Sequence, residues 1–200
     1  MGRADDRTAD IRRVTAETDV HVVFNPDGQG NSRINTGIGF FDHMLAAFAK
    51  HGFFDLTVEV SGDLHVDSHH TIEDTGIVLG QAIAKAAGDK KGIRRYGFFV
   101  LPMDDALVLC SLDLGGRAYY ASDIAFTAER IGQFETEMFR EFFLAFCRKA
   151  EITLHFKQLA GENNHHIAEA SFKAFAKALD AAYGTDERIR DVLSTKGSLS

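Results

Sequence analysis

One short phrase occurs twice in this chain, and a duplication constrains the fold more than any single motif. The first copy reads Asp67-Ser68-His69-His70-Thr71-Ile72-Glu73. The second, 96 residues on, reads Asn163-Asn164-His165-His166-Ile167-Ala168-Glu169. Both spell His-His-x-x-Glu at the start of a stretch with helical patterning. Residues three or four apart share a helix face, so Glu73 lies under His69 and His70, and Glu169 under His165 and His166. Adjacent histidines diverge by about 100° on a helix of ~3.6 residues per turn. Each pair therefore aims its rings in two directions, which suits one motif feeding two metal ions.

The flanks repeat as well. Asp55-Leu56-Thr57-Val58 answers Glu151-Ile152-Thr153-Leu154 at the same offset. In the helical stretch before these strands the match shifts by two residues. His43-Met44-Leu45-Ala46-Ala47-Phe48-Ala49-Lys50 aligns there with Glu141-Phe142-Phe143-Leu144-Ala145-Phe146-Cys147-Arg148. The slip is placed in the turn at Gly52-Phe53-Phe54, since turns tolerate length changes. His43 and Glu141, both able to bind a metal, then hold the same place in each half. The period is too long for a solenoid repeat. Two similar half-domains, 1–93 and 94–200, packing into one compact domain fit better.

Local patterning fills in the elements. Ile11 to Phe24 reads as one β-branched strand, closed by the turn Asn25-Pro26-Asp27-Gly28. A short strand at 32–35, a helix over about 41–50, a strand at 56–60 and the motif helix to about Ala87 complete the first half. The second half predicts strands at 95–101, 106–112 and 118–122. A helix over 134–149, a strand at 152–157 and a motif helix ending near Gly184 follow. This order implies an α+β fold, each half a mostly antiparallel sheet with helices on one face.

The net charge of −7 is spread without long single-sign runs, which argues against a nucleic-acid partner. No stretch approaches the ~20 apolar residues of a membrane helix. Met1 to Asp10 lacks the apolar segment of a signal peptide. Cys110 and Cys147 sit in apolar runs and read as buried free thiols, so a cytoplasmic, reducing setting is expected. There are 17 Phe and no Trp. Most of the Phe are expected in the core, and some between chains.

A single histidine pair is more often an accident of surface or core than a metal site. Two pairs, each followed by Glu at one spacing inside a wider repeat, are hard to explain by packing, which preserves apolar residues. Four imidazoles and two carboxylates with no thiolate at ligand spacing argue against a structural Cys-type zinc site and suit Mn, Fe, Co, Ni or Zn. Arg94-Arg95, Arg117 and Lys196 are candidate anion binders. Gly115-Gly116-Arg117 sets exposed backbone beside a guanidinium, and Ser194-Thr195-Lys196-Gly197 adds hydroxyls and a cation. Any one of these alone is more often a solvated surface group. Glu17, read as mid-strand, with Asp104 and Asp105, are candidate acid-base groups. His21, His65 and His155 read as structural. His51, at the end of the His43 helix, is a closer case.

Taken together, these phrases resemble the imidazoleglycerol-phosphate dehydratase family of histidine biosynthesis. The matching segments are Thr36 to Leu45, Gly62-Asp63-Leu64, Asp67 to Asp74, Arg94-Arg95-Tyr96-Gly97, Pro102 to Ala106, Gly116-Arg117, Asn163 to Ala170 and Ser194 to Gly197. They span nearly the whole chain in the family's order. The resemblance implies a hydro-lyase that converts imidazole glycerol phosphate to imidazole acetol phosphate. It implies two Mn²⁺ per active site, held by His43, His69, His70, Glu73, His165, His166 and Glu169. Glu141 stands at the remaining ligand position, where many members have His. Substrate contacts fall on Arg95, Arg117, Ser194, Thr195 and Lys196, with His51 and Lys173 in substrate-contacting segments. Leu193 replaces the usual Pro before the Ser-Thr-Lys triplet. Glu17, with Asp104 as the lesser candidate, is the expected acid-base group. A 24-subunit homo-oligomer is implied as well. A metal-dependent phosphatase and a non-catalytic metal-storage protein are the rival readings.

Overall fold

The computed structural model describes residues 7–199. The first six residues and Ser200 lie outside it, and so does most of the polar start noted above.

The first half runs β1 (Ala9–Val14), β2 (Thr18–Asn25), β3 (Ser32–Asn35), α1 (Gly39–Gly52), β4 (Asp55–Gly62) and α2 (His69–Ala87). The second runs β5 (Tyr96–Met103), β6 (Ala106–Asp113), β7 (Tyr119–Ser122), a small hairpin β8 (Arg130–Ile131) and β9 (Phe134–Glu135), α3 (Glu137–Ala150), β10 (Thr153–Ala160) and α4 (Asn164–Tyr183). The sheets have the same topology. Their strand orders are β1-β2-β4-β3 and β5-β6-β10-β7, antiparallel except for the β3–β4 and β7–β10 pairs. The fold is α+β with two similar halves, as the repeat predicts.

Strict alternation in β2 and β6 buries one face of each sheet and leaves the other outward. The helices cover the buried faces. α2 lies on β1 and β2, α4 lies on β5 and β6, and α2 meets α3 as α1 meets α4. Phenylalanine supplies nearly all of the largest fully buried side chains in the core. Phe48 stacks on Phe175 at 5.2 Å, Phe41 meets Phe142 edge-on at 5.3 Å, and Phe143 meets Phe172 at 5.1 Å. Each fully buried Phe contributes roughly 1.5–3 kcal/mol. One glycine decides how closely a helix can approach its sheet. A Cβ on Gly97 in β5 would fall 1.8 Å from the carbonyl oxygen of Ala178 in α4.

Three sequence expectations change. Ile11 to Phe24 is two strands joined by a tight turn, not one. The Thr15 hydroxyl accepts the N–H groups of Glu17 and Thr18 at 3.1 and 3.0 Å, and this local bond overrides the β-branched run. Glu17 thus sits in a hairpin turn rather than mid-strand. Phe134 belongs to β9, not to a helix. Gly132 turns the chain at φ 62°, and the helix starts at Glu137.

The third change concerns the slip in the repeat. α1 and α3 are both 14 residues long, and each ends on a left-handed residue, Phe53 at φ 58° and Glu151 at φ 53°. An eight-residue strand follows each. Helix and strand therefore correspond at an offset of 98, and Asp55-Leu56-Thr57-Val58 answers Thr153-Leu154-His155-Phe156. The two-residue difference lies after the strand, where residues 63–68 precede His69 and only residues 161–164 precede His165. His43 and Glu141 remain counterparts.

Candidate active site

Both motif helices begin in the same way. The Asp67 carboxylate accepts the His69 N–H at 2.8 Å, and the Asn163 side chain accepts the N–H groups of His165 and His166. These side chains satisfy the free donors at a helix start and fix the first turn, from which the histidines project.

Across the α1–α4 contact, three ligand-type side chains converge. His43, His165 and Glu169 offer donor atoms that all lie within 4.8 Å of one another. Glu169 Oε2 is 3.1 Å from His165 Nε2 and 3.5 Å from His43 Nε2. Its other oxygen is 2.6 Å from Lys173 Nζ. Burial pushes the Glu169 carboxyl upward, but the Lys173 ammonium and the two imidazoles outweigh it and hold the group below its ordinary value. Two imidazole nitrogens and an ionised carboxylate within a few ångströms fit a first-row divalent cation.

The first motif is arranged alike. His69 Nε2 is 3.6 Å from Glu73 Oε2, one turn on. Glu141, in the place of His43, has its Oε1 2.8 Å from Arg140 Nη1. Among the described residues only the α1–α4 group forms a close triad.

The second histidine of each motif is held differently from the first. His70 Nδ1 lies 3.0 Å from Asp63 Oδ2, and His166 Nδ1 lies 2.5 Å from Asp105 Oδ1. A carboxylate on Nδ1 fixes the ring and its tautomer and leaves Nε2 as a ligand atom. The hydrogen bond that the His70 ring donates to the Asp63 carboxylate raises the His70 pKa. Asp105 also accepts the N–H groups of Asn163 and Glu162, which with His166 hold it far below the ordinary carboxylate range. The free Nε2 atoms face hairpin tips. Glu17, between β1 and β2, is 3.8 Å from His70 Nε2, and Asp104, between β5 and β6, is 3.5 Å from His166 Nε2. Glu17 and Asp104 thus hold matching places at the two motifs.

Sequence reasoning gave Asp63 no role. Its signal was a Gly-Asp pair at the end of β4, seven residues before His70. Glu135 and Glu137 were also missed. They line a small cavity of about 240 Å³ with Asp67 and His69.

A separate pocket of about 700 Å³ gathers Arg95, Arg117, Ser194, Thr195 and Lys196, which are far apart in sequence. Arg95 is held in the left-handed region at φ 70°. Its Nε and Nη2 donate to Asp113 at 2.6 and 2.9 Å, and its Nη1 donates to the Leu193 carbonyl at 2.7 Å. Arg95 therefore ties the tail to β6. His51 titrates lower than usual, first because of burial and then because of the Lys173 ammonium.

Comparison with known proteins points the same way. The family model described as imidazoleglycerol-phosphate dehydratase matches residues 36–179. The imidazoleglycerol-phosphate dehydratase of Lachnoclostridium phytofermentans is 60% identical over 194 residues, covering 97% of this chain and 99% of that protein. That of Gluconacetobacter diazotrophicus is 57% identical, covering 96% and 98%. Among solved structures, the enzyme from Staphylococcus aureus superposes with a TM-score of 0.81 at 37% identity, covering 90% of this chain and 99% of that one. The enzyme from Pyrococcus furiosus, in complex with (S)-C348, also gives 0.81, at 38% identity and 94% and 100% coverage. A match of this extent, over a duplicated fold carrying both histidine motifs, makes the chain a member of the imidazoleglycerol-phosphate dehydratase family.

Proposed function

We infer that this chain is a metal-dependent hydro-lyase of histidine biosynthesis that removes water from imidazole glycerol phosphate to give imidazole acetol phosphate. The observation that carries this reading is the family-wide match together with the convergence of His43, His165 and Glu169 across α1 and α4. Two Mn²⁺ per active site would be held by His43, His69, His70, Glu73, His165, His166 and Glu169, with Glu141 as the eighth group. The bound metal supplies Lewis acidity toward the substrate's imidazole ring and hydroxyl groups.

The protein's own groups do the rest. The hydroxyl leaves from the carbon beside the ring, and a proton leaves the next carbon, which has no adjacent carbonyl to acidify it. The resulting enol becomes the ketone. Glu17, exposed at its hairpin tip beside His70, is the acid-base group, and Asp104 is its counterpart at the second motif. Arg117, Lys196, Ser194 and Thr195 hold the phosphate. Arg95 fixes the start of the tail and offers its remaining N–H groups to the same anion. Lys173, held against Glu169, and His51 face the substrate's polar chain.

The working particle is a homo-oligomer of 24 subunits, in which divergent histidines serve metals on different sides. The apolar outer face of the second sheet supports assembly. No described helix is long and apolar enough to cross a membrane, and the two free, buried cysteines are compatible with a cytoplasmic setting.

The test is turnover of metal-stripped and manganese-restored protein, with separate detection of the ketone product and of inorganic phosphate. Turnover should vanish on stripping and return with Mn²⁺, and the phosphate should stay esterified. Release of inorganic phosphate, or full activity without metal, would overturn the reading. Glu17→Gln should keep its manganese and lose about 10²–10⁴-fold in kcat. A near-normal kcat would remove Glu17 from the mechanism.

A further inference from the structure

A half-buried ionic network stands behind the Glu17 turn, and the duplication provides an internal control for its purpose. Asp74, in α2 directly after Glu73, is 7% exposed. Arg13 Nη1 of β1 lies 2.6 Å from Asp74 Oδ2, and the Thr18 hydroxyl donates to that same oxygen. With its proton committed there, the Thr18 oxygen accepts from the Thr15 hydroxyl at 3.2 Å. The Thr15 oxygen in turn accepts the N–H groups of Glu17 and Thr18. An unbroken chain of polar contacts thus runs from Asp74 to the backbone of Glu17.

At the positions of Arg13, Thr18 and Asp74 the second half carries no charge, and its hairpin tip is tied instead through Asp105 to His166 and to the N–H groups of Glu162 and Asn163. Strand register makes Leu101 the counterpart of Arg13 and Ala106 that of Thr18. The motif offset makes Ala170 the counterpart of Asp74. All three counterparts are buried and apolar. Packing the strands on the motif helix at these positions therefore needs no ion pair. An ion pair taken even partly out of water is generally no more stabilising than apolar side chains of similar size, so stability does not account for the network. Orientation does. A hairpin tip pinned by directional bonds holds its carboxylate in one place, and apolar contact leaves it freer to shift.

We propose that Asp74, with Arg13 and Thr18, is a positioning residue that fixes the Glu17 turn against the first motif. This rests on Glu17 as the acid-base group. The test is the triple variant Arg13→Leu, Thr18→Ala, Asp74→Ala, which copies the second half's side chains, compared with Glu17→Gln. The triple variant should keep its Tm and manganese content and hold KM within about threefold, while kcat drops at least tenfold. A folded, manganese-loaded triple variant with kcat within twofold of the parent would overturn the proposal, provided Glu17→Gln is inactive. If Glu17→Gln is itself active, the reading of Glu17 fails instead, and the proposal falls with it. Should the triple variant not fold, Thr18→Val breaks the chain at one hydroxyl. It should then lose kcat at unchanged Tm, and an unchanged kcat would sink the idea.

Discussion

The proposed metal site would depend as much on what holds its ligands as on the ligands. His69 and His165 are each backed by a glutamate one turn along the same helix, so their geometry is written locally. That is why spacing alone revealed them. His70 and His166 take their support from Asp63 and Asp105, which lie at a strand end and in a hairpin. No spacing rule ties those aspartates to the histidines, because strand register and loop length bring them together. Glu17 was singled out as a titratable group, but its turn was not, because the Thr15 hydroxyl bond that makes the turn is invisible to propensity. The physical consequence can be measured. Asp63→Ala frees the His70 ring and its tautomer, which should weaken metal binding about 10–100-fold. Calorimetric titration of the metal-free protein with Mn²⁺ would read this directly. An affinity equal to the parent's would mean that Asp63 does not orient the ring.

At the scale of elements, the repeat was legible wherever both copies kept similar residues, and misplaced where a loop intervened. The motif offset of 96 and the helix-strand offset of 98 differ because six residues (63–68) separate β4 from His69 and four (161–164) separate β10 from His165. Sequence matching put that difference in the wrong turn, since short runs such as Asp55 to Val58 fit two registers almost equally well. Side chains that bind loops to strand ends were also hidden. Asp55, opening β4, accepts the N–H groups of Gln29 and Asn31 at 3.0 and 2.9 Å. Those two bonds, Gln29 first, hold its carboxyl below the ordinary value. A depressed folded pKa means that the stabilisation is complete above the unfolded pKa of ~3.9 and fades as pH falls through the folded one. Asn imitates the protonated acid, so Asp55→Asn should cost about 0.5–1 kcal/mol at neutral pH, the low side of a charge-assisted bond because the group is partly solvated. Thermal melts of parent and variant should differ by a constant margin from pH 8 to pH 5, and converge below about pH 4. A margin that persists at low pH would assign the effect to shape rather than charge.

For the whole molecule, the two sheets turn unlike faces outward. The first sheet carries a polar ladder in which Asp10, His21, Glu59 and Arg33 are linked in sequence, with Arg12 paired to Asp19. The second sheet exposes Tyr96, Phe98, Val100, Tyr119 and Leu159, with Phe98 at 71%. Sequence reasoning expected some phenylalanines to lie between chains but could not say which, since a buried and an outward Phe look alike in a strand. Exposure now identifies the outward ones, the adjacent Phe98 and Phe99 in β5. An apolar sheet face of this kind costs free energy in water unless another surface covers it, and a copy of the same chain is the partner that the 24-subunit reading supplies. Phe98→Glu adds a charge that solvent tolerates in the separate subunit and that a buried interface does not. The variant should keep its secondary structure and elute from size exclusion as a much smaller species, with turnover lost in proportion if neighbouring subunits complete each site. Light scattering alongside circular dichroism distinguishes this outcome from misfolding. A Phe98→Glu particle of unchanged mass would show that this face is not the surface through which the subunits meet.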